Sequence, residues 1–196
     1  MELKKAILER RSIRKYKDKP VKIEILGEIL DVARFSPSSG NLQNWQFIIV
    51  TNEKKKKEIA SASMNQNWMT EAPAYIVICN QYKKVTQMYG KLGKMYSIQN
   101  CSIIANNIML LAKEKGLDTC WIGAFDNEAV QRILEISDDD ADPEIILTIG
   151  YSNETKLNES EREEIQSLVY FDKWGKKTTT FAKSGIVDKV KGFLKK

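Results

Sequence analysis

Ser36-Pro37-Ser38-Ser39-Gly40-Asn41-Leu42-Gln43-Asn44-Trp45-Gln46-Phe47-Ile48-Ile49-Val50 has two halves of opposite character. Residues 36–41 collect proline, glycine, serine and asparagine, the residues that break regular structure and open turns. From Trp45 to Val50 the chain is aromatic and β-branched, which predicts a strand. Upstream, Ile25, Leu26, Ile29, Leu30 and Ala33 recur at helical spacing, so a helix is expected from about Lys22 to Phe35, begun after the block at Pro20. Helix, breaker, strand is therefore the local grammar, and the rest of the chain repeats it.

Before this stretch, Leu3, Ile7 and Leu8 mark a short helix that ends in Arg10-Arg11-Ser12-Ile13-Arg14. After it, Glu53–Ala62 reads as an exposed lysine-rich helix, and Ala74–Cys79, entered from Pro73, as a buried strand. Between them and the next helix, residues 81–95 are expected to lid a pocket and set substrate choice, with Tyr82, Tyr89 and Tyr96 as ring candidates. Ser97–Lys115 is a helix with apolar residues on more than one face, hence central, with Gly116 as its C-terminal cap. Thr119–Gly123 is a short strand running into a loop. Asn127–Leu134 is a helix capped by Asp126 or Asn127, and Ile145–Tyr151 is the last apolar strand. Strands alternate with helices, yet no G-x-G-x-x-G follows the first strand, so a dinucleotide site of the doubly wound type is unsupported. A three-layer α+β domain with a mixed sheet fits better.

Composition narrows the chemistry. The 196 residues suit one compact domain with an extension, and 42% hydrophobic residues suffice for a core. The net charge of +5 comes from 31 basic and 26 acidic residues, with much of the excess in scattered lysines such as Lys54–Lys57 that read as solvated surface. No zinc-finger, RRM or basic-zipper pattern accompanies it, so a nucleic-acid partner is not expected. No apolar run approaches the ~18 residues of a membrane span, and residues 1–5 lack the apolar segment of a secretory signal. Cys79, Cys101 and Cys120 are odd in number and far apart, which argues against disulfides and a zinc knuckle and for reduced thiols in a cytoplasm. Histidine is absent, which removes imidazole bases, triads and His-based metal sites. No metal site and no catalytic side chain are assigned; a cofactor is the expected carrier of any chemistry.

Four segments could hold one. Arg10, Arg11, Ser12 and Arg14 offer guanidinium forks and a hydroxyl that suit phosphate oxygens; taken alone, such a cluster is more often a solvated helix end. In residues 36–45 the small side chains let backbone approach a flat ligand, while Asn41 and Gln43 offer polar groups to ring edges; taken alone, it is a turn before a strand. Ile122, Gly123 and Ala124 could turn backbone N–H groups toward a cofactor, or form an ordinary strand-to-helix turn. Arg162 stands in a charged arm, between Glu161 and Glu163.

In order and spacing these segments resemble the FMN-dependent nitroreductase superfamily. Arg10-Arg11-Ser12-Ile13-Arg14-Lys15-Tyr16 is similar to its first flavin-phosphate motif, and residues 36–47 to its second. Glu71-Ala72-Pro73 before a strand, the long central helix, residues 116–123 and Ile149-Gly150-Tyr151 follow in the family's order. Asn44 stands where that family usually has proline, and Asn65-Gln66-Asn67-Trp68 has no lysine where some members carry one. The resemblance reaches about Trp174. It implies a three-layer sandwich with a mixed, mainly antiparallel sheet flanked by helices over residues 1–174, and leaves 175–196 as a C-terminal helical extension. A helix over Ile186–Leu194 would pack there on the same domain or on a partner.

The resemblance also implies roles. Arg10, Arg11 and Ser12 would take the FMN phosphate and ribityl end, and Arg14 the pyrimidine edge at N1 and O2. Pro37, Ser38, Ser39, Asn41 and Gln43 would cover the ring from the opposite subunit. Ile122, Gly123 and Ala124 would serve N5 and O4, Asn65 and Gln66 another flavin edge, and Arg162 the phosphate. Such a protein is a homodimer with the central helix at its interface and FMN between subunits. It takes hydride from NADH or NADPH and reduces nitroaromatics, quinones or similar acceptors in ping-pong order. A flavin carrier or sensor without turnover, or a dehydrogenase or dehalogenase on the same fold, are the alternatives.

Overall fold

The computed structural model of the chain describes residues 1–137, 139, 141–155 and 161–177. The expected helix over 186–194 lies outside the described residues. The chain forms two units, Met1–Lys156 and Leu157–Lys196.

The first unit is built on β2 (Ala74–Asn80), whose residues are all buried. β1 (Trp45–Val50) lies on one side of it and β4 (Asp142–Gly150) on the other, with β3 (Asp118–Ile122) beyond β4, in the order β1-β2-β4-β3. The side-chain alternation of a strand sends Ala74, Ile76 and Ile78 to one face and Tyr75, Val77 and Cys79 to the other. On the first face α2 (Ile23–Ala33) and α5 (Gly93–Glu114) supply Leu26, Ile29, Cys101, Ile104 and Ile108. On the second, α3 (Glu53–Ala62) and α6 (Asn127–Leu134) supply Ile59, Ala60 and Val130. Helices on both faces of one sheet make the three layers. The remaining helices are α1 (Leu3–Glu9) and α4 (Tyr82–Tyr89).

Among the described residues all three strand pairs are antiparallel, in keeping with the mainly antiparallel sheet expected. Parallel neighbours need a connection that crosses to the opposite end of the sheet. Here α3 goes out and the 3₁₀ turn Asn67–Glu71 returns, so β2 begins opposite Val50, where β1 ends. Among the described residues the parallel pairing is confined to the isolated bridge Ser12↔Thr119.

Helix ends follow side-chain chemistry. Asn52 accepts from Lys55 N–H to cap α3, and Asp126 from Ala129 N–H to cap α6, both at 3.0 Å. Gly116, at φ +76°, closes α5, with its own N–H on Lys113 O and the Leu117 N–H on Ala112 O. That pair of bonds needs a left-handed residue, which glycine adopts without steric cost. Within the lysine run, Lys56 departs from the solvated reading: it is buried, and its ammonium donates to Ala72 O and pairs with Glu53, each at 2.8 Å. One lysine thus ties α3 to the entry of β2. Burial pushes the Cys79 thiol up to about 12 and raises those of Cys101 and Cys120 as well, so at neutral pH all three are unionised thiols without nucleophilic character.

The second unit is described by itself. It contains α7 (Ile165–Leu168), a tilted Tyr170–Trp174 ring pair at 4.7 Å, and Lys177 over the Tyr170 ring. No helix among the described residues is long and apolar enough to cross a membrane.

Candidate functional site

The first motif leaves α1 and runs along the β3 edge of the sheet. The Ser12↔Thr119 bridge, the Ile13 N–H on Thr119 O at 3.1 Å and the fully buried Ile13 side chain fix it there. Because extended backbone alternates its side chains, anchoring Ile13 inward turns Ser12 and Arg14 outward. Their convergence is registered at one sulfur. Burial raises the Cys120 thiol, while the Arg14 charge, a hydrogen bond from Ser12 and the Arg10 charge oppose that rise. Arg10 and Arg14 make no ion pair among the described residues. Arg11 turns back instead, donating to Leu8 O at 2.7 Å and Arg10 O at 2.9 Å. It satisfies terminal carbonyls of α1, where a cation also complements the helix dipole, and its Nε is buried without a partner among the described residues.

Two further segments meet this edge. Asp126 N–H bonds Ala62 O at 2.9 Å, which brings the 123–126 turn beside the end of α3 and so beside residues 64–66. Ile122 is buried while Gly123 and Ala124 are exposed, and their N–H groups have no protein acceptor among the described residues. Met64 and Asn65 both sit at φ +55°, a left-handed pair that turns the chain sharply here. Gln66 then opens the 67–71 turn, in which Trp68 lies under the Arg14 guanidinium, 5.6 Å from Cζ to the ring centroid.

The second motif is elsewhere. It enters β1, which is the opposite edge of the sheet from β3. Three strand spacings separate the two edges, about 14 Å. Here Gly40, Asn41 and Gln43 all have positive φ. A side chain at Gly40 would meet Met88 Sδ and the Tyr89 hydroxyl at 2.9 Å, so the C-terminal end of α4 rests directly on this turn. Ser38 Oγ accepts from Gln43 N–H at 3.0 Å, and Gln43 donates to Asn41. Residues 81–95, expected as a lid, are α4, the 3₁₀ turn Gly90–Leu92 and the start of α5, with Tyr89 and Tyr96 edge to face at 5.2 Å.

What fixes that loop is a buried amide chain. Asn100 on α5 accepts the Ser39 N–H at 3.0 Å, and donates to Ser39 Oγ at 2.8 Å and Asn44 Oδ1 at 2.7 Å. Asn44 donates to Asn80 Oδ1 at 2.7 Å, and Asn80 to Ser97 Oγ at 3.1 Å and Glu144 at 2.9 Å. Asn44 is fully buried, so its place in the motif is a hydrogen-bonding one. Asn100→Ala is expected to lower unfolding stability by about 2 kcal/mol, because it strands buried donors and acceptors on both Ser39 and Asn44. A urea midpoint unchanged from the parent would show that the loop does not depend on this contact.

Arg162 lies in the second unit, exposed, with Nη1 on its own neighbour's carbonyl at Glu161, 2.8 Å away. Trp68, Asn100 and Glu154, whose carboxylate accepts the Arg14 backbone N–H at 2.8 Å, were not foreseen. Asn100 left one signal in the sequence: it sits on the helical stripe of Ser97, Cys101 and Ile104, where a polar residue must find buried partners.

Comparison with known proteins finds relatives in sequence and in fold. The nitroreductase family model matches residues 7–68 and 60–151. A protein of Methanothermobacter thermautotrophicus named as an NADH dehydrogenase/NAD(P)H nitroreductase is 31% identical over 160 residues, 79% of each chain. The FMN-dependent nitroreductase of Clostridium difficile R20291 is 30% identical and superimposes with a TM-score of 0.74, over 86% of this chain and 98% of that one. A structure from Exiguobacterium sibiricum in complex with FMN has the same fold, with a TM-score of 0.79 at 21% identity over 88% of this chain and 98% of its own. The chain belongs to the nitroreductase family, and is thereby an oxidoreductase of the nitroreductase/NAD(P)H type.

Proposed function

We propose that the protein is an FMN-dependent NAD(P)H oxidoreductase that reduces nitroaromatic, quinone or similarly electron-poor acceptors in ping-pong order, as a homodimer with FMN between subunits. The observation that carries the reading is the donor set at the β3 edge. Two guanidiniums without ion-pair partners among the described residues, the Ser12 side chain and two unengaged N–H groups gather along this edge. Unpaired cations and donors in one place fit an anionic, phosphate-bearing ligand with polar ring edges. Bound there, FMN would supply the two-electron chemistry, accepting hydride from NADH or NADPH and delivering it to the acceptor.

The chain's own residues would do the rest. Arg10 and Ser12 would hold the phosphate and ribityl end. Arg14 would set a fixed positive charge at the pyrimidine edge, where two-electron reduction leaves negative charge, and so favour the reduced form. The Gly123 and Ala124 N–H groups would orient the edge at which hydride arrives. No side chain is assigned a proton-transfer step, consistent with a chain that lacks histidine and whose thiols are held unionised. The loop at residues 37–43 would reach the ring of the partner's flavin, since it stands at the far edge of its own sheet.

The purified protein is expected to show absorption near ~450 nm from a cofactor whose mass is that of FMN, bleached anaerobically by NADH or NADPH. A colourless protein that also fails to bind added FMN would overturn the reading.

A further inference from the structure

An exposed guanidinium can be held in place in two ways, by a carboxylate or by the face of an aromatic ring. The two have opposite consequences for a ligand. A carboxylate cancels the charge and occupies the in-plane donors, whereas a ring face supports the group from above and leaves both free. The chain shows the first arrangement at Arg34, which pairs with Asp31 at 2.7 Å while lying over Phe35. It shows only the second at Arg14, which lies over Trp68 and makes no ion pair among the described residues. Glu154 meets Arg14 through the backbone N–H, at 2.8 Å, and makes no ion pair with its guanidinium.

Trp68 is itself well anchored. It packs partly into the core on the second face, and Met69 beside it is fully buried. The turn that carries it grips the first motif twice: Trp68 lies against Arg14, and the Glu71 carboxylate accepts the Tyr16 N–H at 3.3 Å. The ring is thus fixed relative to the backbone from which Arg14 projects.

We propose that Trp68 is a positioning residue for Arg14, holding its guanidinium by the ring face so that the full charge and the in-plane donors remain available to the flavin's pyrimidine edge. The inference rests on the reading of the site as an FMN site. Trp68 touches neither reacting atom; it acts through Arg14, and its effect falls on the difference between reduced and oxidised flavin.

Trp68→Leu keeps an apolar side chain on the core but removes the ring face. The affinities of oxidised and reduced FMN and the two-electron potential are measured for the dimer carrying Trp68→Leu, Trp68→Phe, Arg14→Ala and the double variant Trp68→Leu/Arg14→Ala. Reduced FMN is expected to lose about fivefold more affinity than oxidised FMN in Trp68→Leu, equivalent to a potential lower by about 20 mV. Trp68→Phe should retain most of the parent value. In the Arg14→Ala background the leucine substitution should change the ratio no further, since the two residues act as one unit. Equal weakening of both redox forms with a lowered melting temperature would mean a merely structural Trp68 and overturn the proposal. So would a leucine effect of the same size with and without Arg14. Parent protein that binds no FMN would overturn the site reading and this inference together, whereas normal FMN binding with an unaltered ratio in Trp68→Leu overturns the inference alone.

Discussion

Arg10→Ala is expected to weaken FMN binding about thirtyfold, the equivalent of about 2 kcal/mol for a charge-assisted hydrogen bond to an anion. The size follows from what Arg10 lacks in the free protein. Its guanidinium has no carboxylate partner among the described residues, so a phosphate gains it without breaking an ion pair. Its position at the C-terminal end of α1 is set by backbone, the Arg10 N–H on Ala6 O at 3.0 Å, so truncation should leave the fold intact. Arg11→Ala separates the two roles in the motif. Its guanidinium is engaged on the Leu8 and Arg10 carbonyls, and its removal should loosen α1 more than it weakens FMN. Titration of the apoproteins with FMN, alongside urea unfolding, checks both. If Arg10→Ala binds FMN as tightly as the parent, the phosphate does not sit at the β3 edge.

How much of this was legible in the sequence differs by scale. Element positions were, because the signals are local. The continuous apolar run at 74–79 after Pro73, the 3.6-residue stripe through Ile104 and Ile108, and the caps at Asp126 and Gly116 each act within a few residues. The direction of the strands came only from the family resemblance, because whether α3 crosses the sheet or returns with the 67–71 turn depends on packing that no short window contains. The same distinction applies to the candidate site. Arg10, Arg11, Ser12 and Arg14 could be named only as a cluster whose roles the family resemblance implied. Arg11 could not be separated from the others, because its engagement with α1 depends on where that helix ends. Trp68 meets Arg14 across 54 positions, and Asn100 meets Ser39 across 61. Neither pairing has a sequence period, and both residues read locally as ordinary members of a turn and a helix.

The separation of the two motifs across the sheet makes a sharper expectation about assembly. Within one chain, the donor set lies at the β3 edge and the Gly40 loop precedes β1 at the other. If both motifs serve one flavin, they must come from different subunits of a two-fold dimer, and each dimer then has two equivalent sites. Two defective chains can test this. Arg10→Ala damages the first motif. Gly40→Val damages the second, because a β-branched residue is strained at φ +57° and its Cβ would meet Met88 and Tyr89. Assayed at an FMN concentration that loads the parent but leaves Arg10→Ala largely empty, each homodimer should fall far below the parent toward a nitro or quinone acceptor. When the two are unfolded together, mixed in equal amounts and refolded, half of the dimers are mixed. In a mixed dimer one site carries both defects and the other carries neither. Activity should therefore return to about one quarter of the parent value from random pairing of a two-fold dimer. Sites built within single chains would leave every site damaged in every combination, and the mixture would show no more activity than the average of its parts. Recovery cannot come from a gain in stability, since neither substitution is corrected in any chain; it can come only from an intact donor edge on one subunit meeting an intact loop on the other.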